Sequence, residues 1–107
     1  MKPRLPKEVA ISYQTVKIQP LPKDAPGNVL GYYYQTDHKI EIKPGLNSYE
    51  EANTLMHELF HALYRCAGIN KKSEEEQVVT VFANGVMEMM KRNPKLRTYF
   101  TKVWNGQ

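Results

Sequence analysis

The chain has 107 residues, 41% of them hydrophobic and 24% charged, and a formal net charge of +4 at pH 7. That length suits one domain, residues 1–107, and the composition excludes a disordered or fibrous protein. The single cysteine, Cys66, excludes an intramolecular disulfide, and no apolar run approaches the roughly 20 residues that a membrane span needs.

The first half of the chain predicts a small antiparallel sheet. Residues 1–10 contain two prolines and are expected to form a flexible arm. The β-branched, alternating segment 11–22 predicts one strand that its closing prolines stop. Residues 29–34 and 39–43 are also β-prone and flank the polar segment QTDH, which predicts a hairpin. We therefore expect about three antiparallel strands.

A long helix should follow the hairpin. Asn47 or Ser48 is a suitable N-cap, and the helix is expected to run from about residue 49 to residue 66 or 67. If Ser48 is the cap, Glu51 lies three residues later and completes a capping box. Gly68 then provides the C-terminal stop.

Two more helices are predicted after Gly68. Ser73 and Glu76 form a second capping box, opening a helix from about residue 74 to residue 92. A short last helix over residues 95–104 is expected to pack back onto the protein through Phe100, Val103 and Trp104. Strands followed by helices predict an α+β fold.

The segment HELFH at positions 57–61 predicts a metal site on the first helix. His57 and His61 are four residues apart, so their rings project from one helical face and can bind one Zn²⁺. Glu58 is rotated about 100° around the helix, which suits a general base acting on a water at the metal and not a ligand. This pattern is typical of peptide hydrolysis without a covalent intermediate.

A third ligand that follows His61 is expected to be a glutamate, because neither histidine nor aspartate occurs after that residue. The candidates are Glu74, Glu75, Glu76 and Glu88. Glu88 lies far along the second helix, where a solvated position is the favoured interpretation. Glu76 is preferred to Glu75 because it shares a face with Thr80, which can support it through a hydroxyl, and with Ala83, which permits close packing. Glu75 remains the alternative.

The hairpin and the helix together resemble a known family. The residues that carry the resemblance are Gly31, Tyr33, Ile40, Ile42 and then TLMHELFHAL at 54–63. They resemble the minimal zincin metallopeptidases of the ImmA/IrrE type, and also the SprT-like and small phage-encoded predicted metallopeptidases. The resemblance covers about residues 29–92 and implies a zincin-like fold, with a short antiparallel sheet before the HExxH helix.

The resemblance also implies residue roles. In these families the following helix carries a motif written loosely as E-x-x-A-N-x-F-A and supplies an acidic third ligand. Here EQVVTVFA at 76–83 keeps the glutamate and the final Phe-Ala, while Val79 and Thr80 replace Ala-Asn. Metal ligation is thereby implied for His57, His61 and Glu76, and the catalytic role for Glu58.

For the other candidate residues, solvent exposure or packing is favoured over a functional role. His38 falls in the hairpin turn and is expected to be exposed, with a contact to substrate as the alternative. Cys66 is expected to be a small buried hydrophobe. Tyrosines are more often packing residues than oxyanion donors, but one of five could stabilise a tetrahedral intermediate: Tyr32, Tyr33, Tyr34, Tyr64 or Tyr99.

These features predict a zinc peptidase with one zinc per chain, acting on a protein or peptide that adds as a strand to an exposed sheet edge. The alternative is a non-catalytic, zinc-stabilised binding or regulatory module, such as one encoded by a phage or prophage. Ligand type alone also permits another divalent metal.

The N-terminus has no apolar segment of a secretion signal, so we expect a cytoplasmic protein without a membrane partner. Much of the positive charge lies near the two ends of the chain, where solvated lysines are the favoured interpretation. Nucleic-acid binding is the less favoured one, because no nucleic-acid motif is present.

Overall fold

Four strands and then three helices make up the computed structural model, which describes residues 2–69 and 71–106. The α+β order predicted from the sequence is therefore confirmed. In chain order the elements are β1 (Glu8–Ile11), β2 (Gln14–Pro20), β3 (Gly31–Tyr34), β4 (Lys39–Ile42), α1 (Ser48–Cys66), α2 (Lys72–Arg92) and α3 (Pro94–Trp104).

The sheet is four-stranded and mixed, so the prediction of about three antiparallel strands is wrong. Its strand order is β1-β2-β4-β3, with β2 and β4 parallel and the two outer pairs antiparallel. The segment 11–22 does not form one strand, because the chain reverses at Ser12, which has a φ of 55°, and Ile11 then pairs with Gln14. Residues 8–10 belong to β1 and not to a flexible arm.

Helix α1 covers the inner face of the sheet. Val16, Ile40 and Ala62 are fully buried in one cluster, which joins β2 and β4 to the helix. The N-cap residue of α1 is Asn47, whose side-chain oxygen accepts a hydrogen bond from the Glu50 amide at 2.9 Å. Of the two N-caps that the sequence offered, the structure uses Asn47, and the Ser48–Glu51 capping box does not form.

Helix α2 runs back along α1 and buries Val79 and Ala83. It begins two residues earlier than predicted, so that Ser73 lies inside its first turn and Lys71 is the N-cap residue. The predicted capping box of Ser73 and Glu76 is therefore wrong.

Helix α3 was expected to pack back through three apolar side chains, and this holds only for Phe100, which is half-buried. Val103 is 46% exposed and Trp104 is 75% exposed. Trp104 stacks on Phe100 of its own helix, with ring centroids 5.4 Å apart, instead of entering the core. Within residues 2–69 and 71–106, no helix combines the length and the apolar character needed to cross a membrane.

Strand β3 comes unusually close to α1 at Gly31. A Cβ atom at this position would lie 2.7 Å from Cγ2 of Thr54 and 3.3 Å from Cγ of Glu58. Both partners belong to the buried face of α1, so they have little freedom to move away. The missing side chain of Gly31 thus sets the spacing between the edge of the sheet and the helix that carries HELFH.

Replacing Gly31 with alanine should lower the free energy of unfolding by about 1–3 kcal/mol, because the added methyl group overpacks this contact. Gly27→Ala is the matched control, since a Cβ atom at Gly27 meets nothing within 4 Å. Urea unfolding followed by circular dichroism would measure both variants. Equal stability of the two variants would contradict the close approach.

Candidate metal centre

Helix α1 presents its polar residues in two directions. His57 and His61 lie on the side that faces α2, with ring centroids 4.9 Å apart. Glu58 points instead toward the sheet, where it is only 7% exposed. The rotation of about 100° per residue therefore separates the two histidines from the glutamate, as the sequence predicted.

Helix α2 brings Glu76, which directly follows its first turn, to both histidines. Its Oε1 lies 2.9 Å from His57 Nε2, and its Oε2 lies 2.9 Å from His61 Nε2. One donor atom from each of the three residues can be chosen so that all lie within 4.8 Å of one another, an arrangement that could hold a metal ion. Thr80 Oγ1 lies 3.4 Å from Glu76 Oε1, on the face predicted for a supporting hydroxyl.

Glu75, the alternative third ligand, lies elsewhere. Its side chain is 8% exposed and its Oε2 is 2.6 Å from His61 Nδ1, the ring nitrogen that faces away from Glu76. Its Oε1 is 2.8 Å from Arg65 Nε in an ion pair that lacks the alignment of a good hydrogen bond. The structure thus brings together His57, His61 and Glu76 and leaves Glu75 outside that group.

Sequence reasoning missed Arg65. The signal that could have found it is its position four residues after His61, which places both side chains on neighbouring parts of one helical face. A cation at this position suits a buried carboxylate arriving from another helix.

Burial dominates the electrostatics of the site. It raises the pKa of Glu58 to about 7, an effect that the nearby His61 partly offsets and the Glu76 carboxylate reinforces. Burial also lowers the pKa of His57, against the opposing attraction of Glu76. A neutral imidazole is the form that can bind a metal, so the lowered pKa favours ligation.

A cavity of about 740 Å³ opens over these residues. Its floor contains His57, Glu58, His61 and Glu76, and one wall is formed by β3 and the turn that follows it. Three of the five tyrosines considered as oxyanion donors line this wall: Tyr32, Tyr33 and Tyr34. Strand β3 therefore lines the same open cavity as the three donor residues His57, His61 and Glu76.

The remaining candidates lie away from the donors. Tyr64 donates its hydroxyl hydrogen to the Lys71 carbonyl, and Tyr99 lies exposed on α3. Cys66 is half-buried against the core and lies 2.7 Å from the Gln14 side-chain nitrogen.

The other acidic candidates and His38 are exposed. Glu74 and Glu88 lie on the surface of α2, and Glu88 pairs with Arg92 one turn later. His38 is exposed in the hairpin turn with a φ of 51°, as expected for a turn residue.

Comparison with known proteins finds no matching family model, no matching curated protein and no matching solved structure. The chemistry of this chain must accordingly be inferred from its own residues.

Glu58→Gln should make the stability of the metal-free protein less sensitive to pH. The folded-state pKa of Glu58, about 7, exceeds the ordinary value of 4.5, so its carboxyl group binds a proton more tightly when folded. The stability it contributes is therefore complete below about pH 4.5 and is lost as the pH rises through 7. Between pH 5 and pH 8 the variant should gain about 2–3 kcal/mol relative to wild type.

Urea unfolding at both pH values in the presence of a chelator would measure this gain. Glu74→Gln is the control, because Glu74 is exposed and should give a difference independent of pH. A flat difference for Glu58→Gln as well would show that the carboxyl group is not buried in the metal-free protein.

Proposed function

We propose that this protein is a zinc-dependent peptidase of the zincin type. The observation that supports the proposal is the convergence of two imidazole nitrogens and one carboxylate on a single point. This point lies in an open cavity that also contains the buried carboxyl group of Glu58. Peptide hydrolysis at zinc needs this combination of three ligands, an open side and a proton acceptor.

The donor set fits zinc. Ligand atoms placed at about 2.0–2.1 Å in a tetrahedron lie roughly 3.3 Å apart. The two contacts of Glu76 with the histidines are both 2.9 Å, and one donor atom from each of the three residues lies within 4.8 Å of the others. His57, His61 and Glu76 would hold the metal, and the cavity leaves its fourth side accessible.

A zinc ion bound there would supply Lewis-acid activation of a water molecule and of the substrate carbonyl. Glu58 accepts a proton from the attacking water as the carbon–oxygen bond forms. It then returns that proton to the amide nitrogen as the carbon–nitrogen bond breaks. Its buried position keeps the carboxyl group oriented, and the open side of the cavity admits the peptide.

Strand β3 is suited to hold that peptide. It is an edge strand, paired only with β4. The Lys43 backbone N–H donates a hydrogen bond to the Leu30 carbonyl at 2.7 Å. Because hydrogen-bonded and non-hydrogen-bonded residue pairs alternate along an antiparallel ladder, the backbone groups of Gly31 and Tyr33 point away from β4. The same strand lies against Glu58, since a Cβ atom at Gly31 would be 3.3 Å from Cγ of Glu58. A substrate added as a strand would thus lie alongside the proton acceptor.

A second candidate is a zinc-stabilised binding module that does not turn over. The observation in its favour is that the donors come from two helices, so a metal would tie α2 to α1 in a chain of only 107 residues. Small domains gain much of their stability from such links.

Glu58→Gln separates the two candidates. The variant should keep about one zinc per chain, since Glu58 is not among the three donors, while cleavage falls by about 100-fold or more because the proton acceptor is lost. Zinc content would be measured by atomic emission, and cleavage by mass spectrometry on a broad peptide library. Glu88→Gln is the exposed control and should retain both properties.

His57→Ala gives the complementary result, with loss of zinc and of cleavage together. Wild-type protein that neither contains zinc nor gains stability from added zinc would contradict both candidates. Zinc-loaded wild type that cleaves no peptide in the library would favour the module.

A further inference from the structure

A buried polar cluster adjoins the three converging donors and shares His61 with them: His61, Glu75 and Arg65. Glu75 contacts the other two residues through its two carboxylate oxygens, at 2.6 Å to His61 Nδ1 and 2.8 Å to Arg65 Nε. Glu75 is about as buried as the hydrophobic core, at 6% exposure. A carboxylate is buried to this extent only when specific partners compensate for its lost hydration.

The contact with His61 determines which ring nitrogen carries the proton. A carboxylate at Nδ1 accepts a hydrogen bond, so the hydrogen resides on Nδ1 and the lone pair on Nε2. Nε2 is the atom that faces Glu76 and the converging donors. Glu75 therefore selects the tautomer of His61 that can bind a metal through Nε2.

Arg65 places a positive charge beside the buried carboxylate, in an ion pair and not in an aligned hydrogen bond. Arg65 and His61 both belong to α1, whereas Glu75 belongs to α2, so both oxygens of Glu75 bind the same neighbouring helix. This arrangement fixes the first turn of α2 against α1. Glu76 directly follows that turn and lines the cavity.

We propose that Glu75, held by Arg65, is a positioning residue that orients His61 and Glu76 for metal binding without itself contacting the metal. This inference rests on the proposed metal site. Two consecutive glutamates of α2 thus have different roles: Glu76 binds the metal, and Glu75 orients the ligand His61.

Zinc affinity measured by competition with a chromophoric chelator tests the proposal. Glu75→Ala should weaken binding by about 10–100-fold, the usual effect of losing a partner of a metal-binding histidine, while one zinc still binds at saturation. Glu75→Gln should recover part of the loss, because its amide oxygen still accepts from Nδ1. Glu74→Ala, an exposed neighbour in the same run of glutamates, should bind as wild type does.

A second measurement distinguishes positioning from general destabilisation and does not require zinc. In a Glu76→Ala background the competing partner of Nε2 is absent, and nitrogen-15 NMR of the imidazoles should show neutral His61 as the Nδ1–H tautomer. Adding Glu75→Ala should change His61 to a mixture of tautomers, while Glu75→Gln should preserve Nδ1–H. His57 should not respond to either change at Glu75.

The proposal is overturned if Glu75→Ala binds zinc as tightly as Glu74→Ala, or if the His61 tautomer is the same with and without Glu75. Complete loss of zinc in Glu75→Ala and Glu75→Gln alike, with retention in Glu76→Ala, would instead make Glu75 the ligand. A protein that cleaves no peptide would contradict the peptidase proposal alone, since neither measurement depends on turnover.

Discussion

The contact between α1 and the inner face of the sheet determines which way the site residues carried by α1 point. Ala62 is fully buried against a cluster that contains Val16 and Ile40, and its small side chain permits close packing. With this face of α1 fixed on the sheet, Glu58 must point toward the strands and the two histidines toward α2. The same helical periodicity therefore places the hydrophobic core on one side of α1 and the candidate metal ligands His57 and His61 on another.

The candidate site could be predicted more fully than the fold. The four-residue spacing of His57 and His61 needs only helical geometry, and the short list of carboxylates after them limited the third donor to a few positions. Choosing between Glu75 and Glu76 depended on which face of α2 turns toward α1. Sequence periodicity favoured Glu76, but it did not indicate that Glu75 would also reach His61, from the opposite side of the ring.

The sheet was harder to predict because its first hairpin depends on a turn at Ser12 that the sequence signals only weakly. Ser12 adopts a left-handed backbone conformation that residues other than glycine, asparagine and aspartate seldom use, so nothing in the sequence announced a turn there. The parallel pairing of β2 with β4 depends on a long connection that carries β3 to the outside of the sheet. For α3, amphipathic spacing suggested burial, but Trp104 stacks on Phe100 of the same helix.

The division of the donors between two helices has a further consequence for the chain as a polymer. Fourteen residues separate His61 from Glu76, so an ion bound by both would close a loop of this size. A covalent cross-link over a comparable loop reduces the conformational entropy of the unfolded chain by an amount worth about 3 kcal/mol. A chain without a disulfide would acquire an equivalent constraint from its metal, and cellular metal supply would then influence how long α2 remains docked on α1.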